Sequence, residues 1–416
     1  MYVLVDCNNF FVSCERVINP RLEGKPVVIL SNNDGCIVAR SNEVKKLSVP
    51  MGAPFFKWKE YLKNHNVRVF SSNYLLYGDM SRRVMETLET CLPEVSLYSI
   101  DEAFSNISGV KDIETLARET KHIVTQWTGI PVSIGVGPTK TLAKAANELA
   151  KEHTAHNGVV IFETAKAAVP YFPNIPVQDL WGVGRAFGEK LPRLSIHTAE
   201  DLLKKDDMWI KKELGIPGLS LVHELRGYEQ TTMDHHRDMR KSVIRSRSFG
   251  TRVTEKKDII DALTYFADRA GQMLRKEGLR TKIIRPFFMT SRFAPERYYA
   301  SKTIQLEEAT NDSRILIQKA INVGEQLFKQ GYPYAKAGIV CTDIVDKKHF
   351  QQSLFSAERS EDGRIMKAYD AIKKKYGPYS INLGRTSEEK KWHMKRELLS
   401  TPERKNVSSI PVACCK

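Results

Sequence analysis

The chain has 416 residues, of which 42% are hydrophobic, and carries 64 lysines and arginines against 49 aspartates and glutamates, a net charge of +15. That length holds two to four domains with ample cores. No apolar run approaches the roughly 20 residues of a membrane span, and Asp6 interrupts the apolar start too early for a signal peptide, so a cytoplasmic protein that meets a polyanion, and no membrane, is expected.

Tyr2-Val3-Leu4-Val5 reads as a buried strand that delivers Asp6 at its carboxyl end. Asn8 to Glu15 follows as a turn into a short helix presenting the aromatic pair Phe10-Phe11. Short strands at Lys25–Leu30 and Cys36–Ala39 flank a polar turn, and a helix over 41–47 carries Lys45. The spacing of Leu76, Met80, Val84 and Leu88 predicts a long amphipathic helix over 73–92. An alternating segment, Val95 to Ile100, then leads into Asp101-Glu102, and Ala103–Ile107 is a second short apolar segment. A helix over 113–127, a strand over 132–136 and a lysine-bearing helix over 139–151 complete a β-α-β-β-α-β order, the ferredoxin-like plan, with residues 20–66 inserted. The fold class is therefore α/β, arranged as α+β domains.

From about 166 to 232 the texture changes to short helices punctuated by glycine. In Leu180-Trp181-Gly182-Val183-Gly184-Arg185, two glycines at a helix start can turn N–H groups toward a phosphate, or make a plain tight turn. Neither this piece nor Gly135-Val136-Gly137 fits a nucleotide-binding fingerprint. Thr231 to Lys241 is a polar linker, after which the β-α-β-β-α-β order returns as strand 243–253, helix 256–277, strands 281–291 and 299–306, helix 312–329 and strand 335–343. Between Arg237 and Ala300 there are 16 lysines and arginines against 7 acidic residues, a concentration that favours nucleic acid. Arg245 and Arg247 share one face of the first of these strands by the two-residue period, and that face suits a phosphate backbone. The remainder, 346–416, is polar, with an apolar island at Gln351-Gln352-Ser353-Leu354-Phe355 that suits a docking peptide. The seven cysteines are odd in number and form no CxxC, so neither a disulfide nor a zinc site is expected.

Asp6, Asp101 and Glu102 are three carboxylates at the ends of apolar strands, with no histidine or cysteine ligand set nearby. Such hard oxygen donors select Mg²⁺, with Mn²⁺ as the alternative, over zinc. In so basic a chain two such ions suit phosphoryl or nucleotidyl transfer. Lys45, Lys140, Lys144 and Lys151 are available to neutralise a triphosphate. The residues by themselves leave a nuclease and a polymerase open.

At these same residues the chain resembles the Y-family translesion DNA polymerases, and within them the UmuC type. The resemblance is carried by Val5-Asp6-Cys7-Asn8-Asn9-Phe10-Phe11-Val12-Ser13-Cys14-Glu15, Ser31–Cys36, Ser71–Tyr74, Tyr98–Phe104, Thr139–Lys144 and Ser246–Gly250, in the family's order over nearly the whole chain. It implies a right hand: palm (1–20 and 67–165), fingers (21–66), a helical thumb (166–232), a linker (233–241), a little finger (242–345) and a C-terminal tail (346–416). It implies Asp6, Asp101 and Glu102 as catalytic metal ligands joined by the Cys7 carbonyl, and two Mg²⁺ ions. Phe10, Phe11, Lys45 and Lys151 fall at nucleotide contacts, with Phe11 as the wall that excludes a ribose 2′-OH. Gly182, Gly184, Arg245 and Arg247 are the implied DNA contacts, and Gln351, Leu354 and Phe355 the implied sliding-clamp contacts. The expected activity is error-prone, damage-tolerant addition of deoxynucleotides to primer-template DNA in the SOS response, with a UmuD-like dimer and a RecA filament as further partners. The alternative is a non-catalytic adaptor that binds DNA and clamp.

Overall fold

The computed structural model describes residues 1–152, 156–230, 240–346, 363–377, 380–384 and 391–400. The described residues divide into two compact units, one drawn from Met1–Ser31, Cys36–Arg237 and Leu398–Lys416, the other from Asn32–Gly35 and Asp238–Glu397.

In the first unit the strands are β1 (Tyr2–Cys7), β2 (Val27–Leu30), β3 (Ile37–Arg40), β4 (Arg68–Ser71), β5 (Val95–Leu97), β6 (Glu102–Asn106), β7 (Val132–Gly137) and β8 (Val159–Ile161). Five of them form one sheet in the order β5-β6-β1-β7-β8. With helices Tyr74–Cys91 and Ile113–Thr128, its first four strands reproduce the ferredoxin-like plan, and β8 is an added edge strand parallel to β7. All six residues of β1 are buried because both sheet faces are covered. Val3 and Val5 pack with Leu76, Met80, Val84, Leu88 and Val124 on one side, and Tyr2 and Leu4 pack with Phe104 and Ala143 on the other. Each such burial contributes about 1.5–3 kcal/mol. The four-residue spacing in the 74–91 helix therefore does mark its core face.

Helix Lys140–Glu152 crosses the second face at backbone distance. A Cβ at Gly135 of β7 would lie 2.2 Å from the Ala143 carbonyl oxygen and from the Asn147 nitrogen. The Gly135-Val136-Gly137 sequence thus serves close helix–strand packing, which fixes where the helix's lysines emerge. The segment after Leu22 forms a three-stranded sheet in the order β3-β2-β4. Because β4 pairs parallel with β2, this sheet extends past residue 66 to Ser71. Beyond β8, helices Arg185–Arg193, Ala199–Leu203 and Asp207–Leu225 share a core with Leu142, Ala146 and Leu149 of the 140–152 helix. The buried Glu224 carboxylate accepts from the Thr141 and Gln230 backbone N–H groups at 3.1 and 2.7 Å, tying the last of these helices to the first turn of the lysine-bearing one.

The second unit contains β9 (Val243–Val253), β10 (Leu279–Thr290), β11 (Tyr299–Ser301), β12 (Ile304–Thr310) and β13 (Tyr334–Asp346), with helices Lys256–Lys276, Ser313–Leu327 and Gly363–Tyr376. The element order repeats that of the first unit, except that the expected strand 299–306 is broken into β11 and β12. The sheet order is different: β11-β10-β13-β9, with β12 also on β10. β13 runs antiparallel between β10 and β9, so the last strand is central and the first lies at the edge. The helix Gly363–Tyr376 is anchored to Lys256–Lys276 by a bidentate Arg275–Asp370 pair at 2.7 and 2.8 Å and by the buried Lys373 ammonium on Asp268 at 2.6 Å. Trp392 is fully buried against Tyr265 and Phe266.

Candidate active site

The sheet register brings two of the three acidic residues together. Asp6, the penultimate residue of β1, stands directly opposite Glu102, the first residue of β6. The expected strand 95–100 stops at Leu97 because the chain turns there: the Tyr98 and Ser99 N–H groups both donate to the Glu102 carbonyl, at 3.1 and 3.0 Å. Asp101 sits in that turn, and its carbonyl accepts from the Cys7 N–H at 2.9 Å, locking the turn to the end of β1. The Ser99 hydroxyl shapes it from inside, accepting from the Asp101 and Glu102 N–H groups at 3.1 Å each and donating to Asp101 Oδ1 at 2.5 Å.

The 140–152 helix adds two ammonium groups. Lys144 Nζ contacts Glu102 Oε1 and lies 3.8 Å from Asp6 Oδ2, while Lys151 Nζ lies 2.8 Å from Asp6 Oδ2 and 3.1 Å from Glu148 Oε1. Asp6 is only 6% exposed. Burial and then a hydrogen bond with Glu102 push its carboxyl up to about 7, whereas hydrogen bonds from Asp6 and Lys144 outweigh burial and hold Glu102 low. Burial lowers the Lys151 ammonium, but the adjacent Asp6 and Glu148 carboxylates outweigh it and hold the group above its ordinary value. Two carboxylates this close repel, and a cation beside them stabilises the charged pair.

The donor chemistry fits a divalent metal: oxygen ligands only, with Asp6 buried and lysine ammonium groups as the positive charge already placed among them. Asp6 and Glu102 meet, but among the described residues no three acidic, histidine or cysteine side chains are grouped closely enough to hold a metal. The third carboxylate, Asp101, is instead bonded to Ser99 on the adjacent turn. Asp6 also lines a cleft of about 590 Å³ with Asn8, Asn9, Asn42, Lys45, Lys121, Ser133, Glu148 and Lys151. Lys45 is thus brought to the same cleft as Lys151. Burial, then the nearby Arg40 and Lys151 charges, lower its ammonium from the ordinary lysine value. Lys140, by contrast, leaves the site, its ammonium lying over the Tyr2 and Phe104 rings.

The aromatic pair after Asp6 divides. Asn9 adopts a left-handed conformation, φ 47°, which swings the chain into helix Phe10–Ile18. The Phe10 ring is then buried in the core, 3% exposed, so its backbone is the part that faces any nucleotide. Phe11 stays half-exposed, stacked on Tyr77 with centroids 4.4 Å apart and planes at 15°, and meets Tyr74 edge-on.

Gly182 has φ 96°, which requires glycine, and Gly184 caps helix Arg185–Arg193 with open space where its Cβ would be. Just before them, Trp181 Nε1 donates to the Tyr98 hydroxyl at 3.1 Å, joining this turn to the acidic hairpin. In the second unit Arg245 and Arg247 do share a face, but it is the one covered by helices. They pair opposite Ile339 and Ala337, both buried, and line a basic cleft with Arg269, Lys276 and Lys374 at the rim of the sheet. The opposite face of the strand presents Ile244, Ser246 and Ser248. Gln351, Leu354 and Phe355 lie outside the described residues. No helix among the described residues is long and apolar enough to cross a membrane.

Sequence reasoning singled out Asp6, Glu102 and Lys151, which the structure brings together, but missed Ser99 and left Lys144 among several lysines. The seven-residue spacing of Lys144 and Lys151, two turns on one helix face, was the available signal.

This arrangement, an acidic pair at the ends of adjacent antiparallel strands of a ferredoxin-like sheet, belongs to a fold shared with solved Y-family polymerases. A Y-family DNA polymerase chimera of Dbh and Dpo4 superposes with a TM-score of 0.65 at 20% identity, covering 83% of this chain and 99% of the other. DinB from Sulfolobus solfataricus superposes with a TM-score of 0.51 over the same shares. The chain belongs to the impB/mucB/samB family, whose description matches residues 5–148, with the family's C-terminal domain at 240–354. A domain of unknown function, DUF4113, matches 363–413. Protein UmuC of Salmonella typhimurium is 39% identical, covering 96% of this chain and 97% of its own length. DNA polymerase IV 1 of Bacillus subtilis is 28% identical over 92% of each chain.

Proposed function

We propose that this protein is a translesion DNA polymerase of the UmuC type, which adds deoxynucleotides opposite damaged template bases in the cytoplasm. The observation that carries the reading is the pairing of buried Asp6 with Glu102 beside Lys144 and Lys151, at a cleft that also holds Lys45. It is supported by relatives named as UmuC and as DNA polymerase IV. A nuclease reading gives no role to the lysine-lined cleft or to the half-exposed Phe11 on the helix that follows Asp6. The adaptor reading predicts loss of the acidic residues, and all three are present.

In this reading the five-stranded sheet is the palm, the three-stranded sheet the fingers, the helical region after β8 the thumb and the second unit's sheet the little finger. Asp6, Asp101 and Glu102, with the Cys7 carbonyl, would hold two magnesium ions. When bound there, such ions supply Lewis acidity to the primer 3′-hydroxyl and charge neutralisation to the leaving pyrophosphate. The chain's own residues do the rest. The acidic hairpin and β1 hold Asp6 beside Glu102 with Asp101 on the adjoining turn, and no protein nucleophile is needed. Lys45 and Lys151 bind the incoming triphosphate, and the Phe11 ring occupies the volume of a ribose 2′-OH. Gly182 and Gly184 offer N–H groups to the template-primer backbone. Arg245 and Arg247 serve DNA from the rim of the sheet. The segment Gln351–Phe355 would dock in a sliding clamp, and a UmuD-like dimer and RecA filament complete the expected assembly.

The test is primer extension by the full chain, with those partners present, on undamaged and abasic-site templates with and without Mg²⁺. Metal-dependent deoxynucleotide addition on both templates is expected, with short products. No addition, with DNA binding intact, would overturn the reading in favour of the adaptor.

A further inference from the structure

The Phe11 ring does not stand alone. Its flat face rests on Tyr77, and the Tyr77 hydroxyl donates to Glu15 Oε1 at 2.7 Å. Glu15 lies one turn after Phe11 on the same helix and is 2% exposed. A carboxylate so deeply buried needs its hydrogen bonds to stay in place. Its second donor comes from the far end of the chain: the Ser400 hydroxyl donates to the same oxygen at 3.2 Å. Ser400 is itself held by Asn73, whose side-chain amide donates to its oxygen at 3.3 Å.

The segment leading to Ser400 is fixed two residues earlier. The Ser71 N–H donates to the Leu398 carbonyl at 2.9 Å, and the Leu398 N–H donates to the Ser71 hydroxyl at 3.0 Å. Ser71 ends β4, and Asn73 caps the helix that carries both Tyr74 and Tyr77. Leu398–Ser400 therefore grips the start of the very helix whose two aromatic rings contact Phe11, and completes the hydrogen bonding of the carboxylate that orients one of them. These residues fall within the domain of unknown function, 363–413.

We propose that Leu398–Ser400 is a positioning clasp for the sugar wall, setting how strictly ribonucleotides are refused. The inference rests on the reading of Phe11 as that wall. A steric wall discriminates only as well as its position is held, because a 2′-OH is accommodated by a shift of about an ångström. Losing the Ser400 hydroxyl leaves Glu15 with one side-chain donor fewer, loosens the Tyr77 hydroxyl and lets the stacked pair relax away from the cleft.

The experiment measures single-nucleotide insertion by the full-length protein with its partners, comparing kcat/KM for a deoxynucleotide and the matching ribonucleotide. Phe11→Ala tests the wall, and Ser400→Ala tests the clasp. Phe11→Ala is expected to lower discrimination roughly 100-fold. Ser400→Ala is expected to lower it roughly 5-fold while deoxynucleotide insertion stays within twofold of wild type. If Phe11→Ala leaves discrimination unchanged, the wall reading fails and the clasp with it. If Phe11→Ala relaxes discrimination but Ser400→Ala leaves it within twofold, or lowers insertion of both sugars equally, the clasp alone is overturned.

Discussion

Lys151 is placed to do two things at once. Its ammonium sits 2.8 Å from the buried Asp6 and faces the cleft that also holds Lys45. A charged hydrogen bond of this kind contributes about 1.5–3 kcal/mol, so Lys151→Ala should lower kcat/KM for nucleotide insertion roughly 10- to 100-fold, chiefly through KM, with DNA affinity within twofold. Steady-state insertion kinetics and fluorescence anisotropy check this, and an unchanged KM would move the triphosphate away from Lys151. The carboxylates were legible in the sequence because strand ends are marked by where apolar runs stop. The hold of Ser99 on Asp101 was not, since a serine in a turn is ordinary until its hydroxyl is seen bridging two N–H groups and a carboxylate. The aromatic pair was legible only as a pair: consecutive helix positions point about 100° apart, and which ring enters the core depends on the left-handed turn at Asn9.

The element that fixes the site is the helix Lys140–Glu152, and its position depends on a side chain that is missing. Gly135→Ala would place a Cβ within 2.2 Å of two helix backbone atoms, neither of which can rotate away. The helix must shift, at a cost of about 3 kcal/mol, carrying Lys144 and Lys151 with it. Thermal denaturation should show lower stability and insertion should fall although no lysine has changed; an unaltered melting temperature would mean that the packing yields more easily than the distances imply. The order of elements in both units was legible from periodicity, because amphipathic spacing is local. Sheet order was legible only where it followed the ferredoxin-like plan. In the second unit the central place of β13 depends on pairing between strands far apart in sequence, and a two-residue period says that Arg245 and Arg247 share a face without saying which face the helices cover.

At the scale of the whole molecule, the net charge of +15 and the paired carboxylates draw in opposite directions. The basic excess attracts a polyanion over distances of about a Debye length, while the proposed site gathers negative charge at Asp6 and Glu102. The central claim is that this site is where nucleotides are joined, and it is tested most directly at Asp101, the carboxylate that the structure holds on Ser99. Single-nucleotide insertion opposite an abasic site should be compared between wild type and Asp101→Asn, with DNA affinity measured in parallel. The account predicts insertion reduced at least 1,000-fold, about 4 kcal/mol in the barrier, with DNA affinity unchanged. Insertion within a few-fold of wild type would contradict it.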